Sequence, residues 1–187
     1  MRSAGAKAES EVLAWPAPAD IVRLVVALLA AVLLQTTIAP NIRILGANPD
    51  FALILVVCVA LLRGAEIGAV FGFLTGSLVA IALMEPFGLG AFIFVLVGYF
   101  VGRYAETADL AAGFAPLVSA FAATLIASVL YALAQGLLAR QVPLDFFIVR
   151  VLLPALVLNT LLAGPLYLVV RFWLREGGAL SVAQRPR

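Results

Sequence analysis

The chain has 187 residues, of which 65% are hydrophobic and only 12% are charged. A soluble domain is nearer half apolar and a quarter charged, so this composition cannot form a water-exposed surface around a core. A net charge of +2 is too small for a nucleic-acid-binding face, no histidine is present to act as base or metal ligand, and the single cysteine excludes an internal disulfide. The sequence therefore predicts an all-α integral membrane protein with lipid as its solvent.

Residues 1–19 are polar, small and proline-bearing, and we expect them to form a flexible cytoplasmic tail. Acidic residues dilute the positive charge that a signal peptide would carry, and the apolar stretch that follows is long enough to span a bilayer. We therefore expect this region to be retained. The transmembrane domain is predicted over residues 20–175, and a cytoplasmic C-terminal tail over residues 176–187.

Six apolar segments follow along the chain, and a spanning helix needs about 20 such residues. The second is short, with Asp50 and Arg63 at its ends. It either crosses by snorkelling charges and local bilayer thinning, or pairs with the third segment as a bent hairpin shielded by neighbours. We predict six helices, or five if the second does not cross. The segments are Ile21–Ala39, Asp50–Leu62, Ile67–Met84, Phe87–Tyr104, Leu110–Ala139 and Phe147–Leu174.

Prolines predict irregularities in the last two segments, because proline cannot donate the backbone hydrogen bond of a regular helix. Pro116 predicts a kink in the fifth segment. Pro154 and the Gly164–Pro165 pair predict interruptions of the sixth.

The distribution of basic residues predicts the orientation in the membrane. With six spans and both termini in the cytoplasm, nine of the twelve Lys and Arg residues lie inside, and Arg43, Arg140 and Arg150 lie outside. Cytoplasmic loops carry the excess of Lys and Arg in membrane proteins, so this bias agrees with six spans and cytoplasmic termini.

Glycines recur at every fourth position around the third segment, and the spacing repeats in the fourth. They are Gly64, Gly68, Gly72, Gly76, Gly98 and Gly102. Positions four apart share one face of a helix. Glycine disfavours a helix in water by about 1 kcal/mol each, but in lipid small residues let two helix backbones approach closely. We therefore assign these residues to helix packing or partner binding. The alternative is that they line a ligand cavity.

Few polar residues are candidates for a site. Asp50, which follows Pro49, either binds a partner or ion or caps the second helix. Asn159 either bonds between helices or lines a pocket. The small pair Ala27 and Ala31 could dock a partner helix or another helix of the same chain. No nucleotide loop, zinc signature or nucleophile elbow is present, so we predict no catalytic residue, no metal and no cofactor.

Several short motifs occur in a characteristic order over Ile21 to Arg175. They are Asn48-Pro49-Asp50, Gly72–Gly76, Pro86–Ala91, Val97–Arg103, Leu158–Leu162 and Pro165–Tyr167. In this order they resemble the bacterial rod shape-determining protein MreD. One departure is Ala80, since the family often carries an aspartate there, and any role of that acid is in doubt for this chain.

The resemblance implies a non-enzymatic subunit of the cell-elongation machinery in the bacterial inner membrane. Its partners would be the bitopic protein MreC, the actin-like MreB and the enzymes that build lateral-wall peptidoglycan. The family is also similar in fold to the six-helix S-components of energy-coupling-factor transporters, so we expect an S-component-like bundle.

That similarity supplies the alternative function, a vitamin-binding subunit. In it, Ala27 and Ala31 would dock a coupling subunit, and the cavity would use Asn41, Asn48, Asp50 and Asn159. A third possibility, a proton-coupled transporter, is disfavoured because the chain lacks histidine and acids within its segments. We interpret the chain as a six-helix membrane scaffold that binds partner helices through its small-residue faces, where glycine lets a partner backbone approach.

Overall fold

The computed structural model of the chain describes residues 18–43, 46–85, 88–107, 114–137 and 147–175. Nearly all of both predicted tails lies outside these ranges. The described part of the chain contains six α-helices of ten or more residues. They are α1 (Pro18–Leu33), α2 (Phe51–Arg63), α3 (Ala65–Leu83), α4 (Leu89–Thr107), α5 (Ala115–Leu137) and α6 (Leu153–Arg175).

Two of these helices are extended by wider or tighter turns. The π-helical turn Leu34–Ile38 and the 3₁₀ turn Ala39–Asn41 continue α1, and the π-helical turn Ile148–Leu152 precedes α6. With these extensions, five helices are long and apolar enough to cross a membrane, and α2 is the shorter sixth. The predicted all-α, multi-pass architecture is confirmed.

Two of the three proline-based predictions about helix continuity are wrong. Pro116 is the second residue of α5, where a proline fits because its missing N–H has no partner in the first turn anyway. Pro154 lies where the π-helical turn Ile148–Leu152 passes into α6, so an irregularity is present there, although the helical run Ile148–Leu174 is not broken. Pro165 lies inside α6, which runs on to Arg175 without a break. In a bilayer, helix remains favourable around an internal proline because neighbouring groups and local adjustment of the backbone compensate for the lost bond.

Helix α2 occupies the centre of the bundle. Each of its residues from Phe51 to Leu61 is buried, and it packs against α1, α3, α4, α5 and α6. At 1.5 Å per residue its 13 residues span about 20 Å, less than the roughly 30 Å of a hydrocarbon core. Of the two alternatives for the short segment, the structure shows the shielded one. Its length does not have to match the bilayer, since its side chains do not face lipid.

The chain before α2 passes through the protein in an irregular conformation. Ala47 and Pro49 are buried, while Asn48 is exposed. Non-helical backbone is tolerated in a membrane protein where protein covers it, as at Ala47 and Pro49.

Single residues with positive φ make the tight connections between helices. Gly64 alone joins α2 to α3, with a φ of +86°, a conformation that L side chains rarely adopt. Met84 ends α3 in the left-handed region, and its N–H and that of Glu85 bond back to carbonyls of the last turn. The one-residue link places α2 and α3 side by side, with Gly68 against Ala60.

The outer surfaces of the spanning helices are apolar. Large hydrophobic side chains point outward along α1, α3, α4, α5 and α6, among them Val22, Val70, Phe100, Phe121 and Leu161. Such faces suit lipid or the transmembrane helix of another protein.

We predict that the same substitution destabilises the protein when it is made in α2 and has little effect on the outer face of α3. Val57 is fully buried in α2, and Val70 on α3 is 61% exposed. Val57→Phe should lower the free energy of unfolding by about 1–3 kcal/mol through overpacking, whereas Val70→Phe should change it by less than about 0.5 kcal/mol. Thermal unfolding of both variants in one detergent measures this. Equal stability of the two would contradict the central position of α2.

Candidate functional site

The interface between α3 and α4 is formed by glycine backbone. A Cβ added at Gly68 would lie 2.6 Å from the carbonyl oxygen of Gly98, and one added at Gly76 would lie 2.6 Å from the Cα of Ala91. A Cβ at Gly72 would overlap the carbonyl of Phe94. The partners run in opposite directions along the two helices, so α3 and α4 are antiparallel and in backbone contact over three turns.

The glycines of α4 complete the same interface. A Cβ at Gly98 would overlap the carbonyl of Gly68, and one at Gly102 would overlap the Cα of Ala65. At this separation dispersion and weak Cα–H···O contacts hold the pair, because side chains do not intervene. Ala80 is buried on α3.

Gly64 has a different role from the glycines that follow it. It lies outside both helices and forms the turn between α2 and α3. A Cβ there would lie 2.8 Å from Oε1 of Glu106, on α4. Its spacing of four from Gly68 suggested one helical face, but the turn rather than the face requires glycine at this position.

Polar side chains satisfy the backbone at the N-terminus of α2. Asp50 caps the helix, since its Oδ1 accepts a hydrogen bond of 2.9 Å from the Leu53 N–H. Asn159 Oδ1, on α6, accepts a bond of 2.9 Å from the Asp50 N–H. Gln35 Oε1, in the π-helical turn after α1, accepts a bond of 3.2 Å from the Ala52 N–H. Three side chains from three parts of the chain thus accept hydrogen bonds from backbone N–H groups that would bond to water in a soluble protein.

Asn159 also links α6 to α5. Its Nδ2 donates to the Thr124 hydroxyl over 3.3 Å, and both residues are buried. Of the two interpretations of Asn159, the geometry shows the interhelical bond. For Asp50, the geometry shows the cap. The preceding residue, Pro49, is fully buried and directs the chain into α2.

Charged side chains form hydrogen bonds at the other end of α2, where the chain turns into α3. The Arg63 guanidinium donates to both carboxylate oxygens of Asp20, on α1, over 2.9 and 3.2 Å. Glu106 Oε1 accepts a bond of 2.8 Å from the Ala65 N–H at the start of α3, while its Oε2 pairs with Arg103. Within the described residues, Asp20–Arg63 is the one ion pair between different helices.

Sequence reasoning missed four of these side chains: Gln35, Thr124, Asp20 and Glu106. A weak signal existed for Asp20 and Glu106, since each is an acid at the boundary of an apolar segment with an arginine three residues away. Gln35 and Thr124 gave none, because a polar residue in a spanning segment does not indicate which helix it faces. Ala31 is fully buried and Ala27 nearly so, so that small pair packs inside this chain.

The residues described above pack helices together and form hydrogen bonds with backbone groups, rather than forming a cluster of reactive side chains. Within the described ranges, no three acidic or cysteine side chains lie together as a metal site would need. Cys58 is buried in α2. Gln135 is exposed on α5.

Taken together, the five apolar helices of spanning length and the short helix buried among them define a polytopic membrane protein. Residues 19–176 match the family model for the rod shape-determining protein MreD. The chain therefore belongs to the MreD family and is a multi-pass inner-membrane protein that takes part in rod-shape determination. No curated protein and no solved structure matches it.

We predict that the α3–α4 interface tolerates no added methyl group. Gly72→Ala should lower the free energy of unfolding by about 1–3 kcal/mol, or prevent folding, because the methyl meets backbone that cannot move aside. Gly136→Ala on α5 is the matched control, since a Cβ there meets no atom of the described residues within 4 Å. It should raise helix propensity by up to about 1 kcal/mol. Folded yield and thermal unfolding in detergent measure both, and a stable Gly72→Ala protein would contradict the close contact.

We also predict that Asn159 contributes through the bond to the Asp50 N–H. Asn159→Leu keeps the side-chain volume but leaves that donor unsatisfied, which should cost about 1–3 kcal/mol. Thr124→Val removes only the longer bond to Asn159 and should cost about 0.5–1.5 kcal/mol. Thermal unfolding ranks the two. A larger loss for Thr124→Val would show that the N-terminus of α2 finds another partner.

Proposed function

We propose that the chain is a non-catalytic membrane scaffold of the cell-elongation machinery. In this function it binds an MreC-like bitopic protein and, directly or through it, connects MreB and the synthases of lateral-wall peptidoglycan. The single observation that carries the proposal is the match to the MreD family over residues 19–176, which includes all six helices.

The small residues pack helices together inside the chain. A partner helix would therefore have to bind at the outer faces of the bundle. Gly68, Gly72 and Gly98 contact the backbone of the neighbouring helix, and Ala31 on α1 is fully buried. These faces hold the bundle together, so they are not open to a partner. In the proposed function the glycines fix the shape of the scaffold, and the partner helix packs on an outward apolar face.

Shape rather than apolar burial has to give such an interface its specificity. Lipid tails are as apolar as leucine, so moving a helix from lipid to a protein surface gains little from the hydrophobic effect. A surface recognises a partner helix in lipid when its ridges are held in fixed positions. The backbone contact of α3 with α4 fixes the outward side chains of both helices, such as Val70 and Phe100.

The hydrogen bonds at the α2 N-terminus favour the scaffold over the vitamin-binding alternative. A ligand cavity needs polar groups that are free to contact the ligand. Asp50 and Asn159 are engaged with backbone and with Thr124, and Asn41 donates to the Thr37 carbonyl. Of the four polar residues that the alternative would use, only Asn48 is exposed and without a hydrogen bond to a described residue.

Co-purification from native membranes tests the proposal. The tagged chain is extracted in mild detergent, and the proteins that accompany it are identified by mass spectrometry. We expect a bitopic protein with its bulk outside the membrane, together with wall-synthesis enzymes. Gly136→Ala should retain them, whereas Gly72→Ala should lose them along with the fixed shape of the bundle.

A coupling protein with paired ATPases in place of these partners would overturn the proposal in favour of vitamin capture. Photo-crosslinking then locates the contact. A photoreactive residue replaces one outward side chain at a time: Val22, Val70, Phe100, Phe121 or Leu161. Crosslinks to the bitopic partner from one face support lateral packing, and crosslinks from none of them contradict it.

A further inference from the structure

Two arginines share one carboxylate where α1 begins and α2 ends. Both oxygens of Asp20 accept hydrogen bonds from Arg63, at 2.9 and 3.2 Å. Arg23, one turn further along α1, has its Nη1 3.8 Å from Asp20 Oδ1, which is beyond hydrogen-bond distance. Asp20 therefore satisfies Arg63 and leaves the second guanidinium without a hydrogen bond from this carboxylate.

The Arg23 guanidinium is partly enclosed and carries a donor that the protein does not use. Its Nη1 is buried beside Asp20 and has no hydrogen-bond partner among the described residues, while the side chain as a whole is 22% exposed, so another part of the guanidinium can be reached from outside. A guanidinium with only a distant carboxylate beside it is incompletely compensated, so an anion that contacts its exposed part is favoured. With Arg23, Arg63 and Asp20 together, the cluster carries one net positive charge.

The position of this cluster identifies the source of the anion. Arg23 lies in the second turn of a spanning helix, at the end of the bundle that the charge bias places in the cytoplasm. The cytoplasmic leaflet is anionic, and basic pockets between transmembrane helices bind phosphate headgroups there. We propose that Arg23, with Arg63 beside it, binds the phosphate of an anionic phospholipid at this end of the bundle.

The chain offers a matched control for Arg23. Arg103, at the end of α4, is more exposed at 56% and pairs with Glu106 over 2.8 Å. It has the same charge and lies near the same end of the bundle, since Glu106 also binds the Ala65 N–H beside Arg63. Non-specific attraction to an anionic membrane would therefore involve both arginines, whereas a defined site would involve Arg23 alone.

The test measures stabilisation of the purified full chain by lipid. Thermal unfolding is followed in neutral detergent with added phosphatidylglycerol, phosphatidylcholine or inorganic phosphate, at matched ionic strength. We expect phosphatidylglycerol to raise the midpoint more than phosphatidylcholine does, and inorganic phosphate to have no effect. Arg23→Gln should weaken the apparent affinity for phosphatidylglycerol by about fivefold, and Arg103→Gln should leave it unchanged.

Each contrary result overturns the proposal. Equal weakening by Arg23→Gln and Arg103→Gln would show general attraction to charge. Equal stabilisation by inorganic phosphate would show a site for a free anion. A photoreactive phosphatidylglycerol applied to the wild-type chain covers the case in which Arg23→Gln does not fold. Its label should map to the beginning of α1 or the end of α2, and labelling only elsewhere would exclude the site.

Discussion

The rest of the structure depends on the need to satisfy the backbone of α2 without water. The helix is buried on all sides and too short to reach both surfaces of a bilayer, so the free N–H groups of its first turn need partners inside the protein. Asp50, Asn159 and Gln35 supply them at one end. Asn159 also ties α6 to α2, and Gln35 ties the extension of α1 to it, so satisfying the backbone assembles the bundle around this helix.

The glycine contact of α3 with α4 holds two helices together in lipid, where burial of apolar side chains contributes little. Apolar side chains gain little by leaving lipid for a protein surface, so helices associate firmly when many atoms meet at close range. Gly72 and Gly98 allow backbone to touch backbone, which side chains at those positions would prevent. The same contact turns the large side chains of both helices outward, where they define the shape of the lateral surface.

In the part of the chain that the structure describes, polar and small residues are largely used for internal contacts, and two kinds of surface face other molecules. The lateral faces are apolar and suit a transmembrane helix, which accords with a scaffold in rod-shape determination. The end that carries Asp20, Arg23 and Arg63 is charged, with one guanidinium not fully satisfied. Protein partners and lipid would accordingly engage different regions of the bundle and need not compete.

The sequence by itself determined the solvent, the number of helices and their order, because hydropathy, segment length and turn residues are local properties. It also indicated which glycines share a helical face, since that depends only on helix periodicity. The tertiary structure alone decided that Gly64 forms a turn, that α6 continues through Pro165, and that Gln35 and Thr124 serve the centre of the bundle. Those outcomes depend on which helix lies opposite each residue, and in an almost uniformly apolar sequence the one-dimensional pattern does not specify the neighbour.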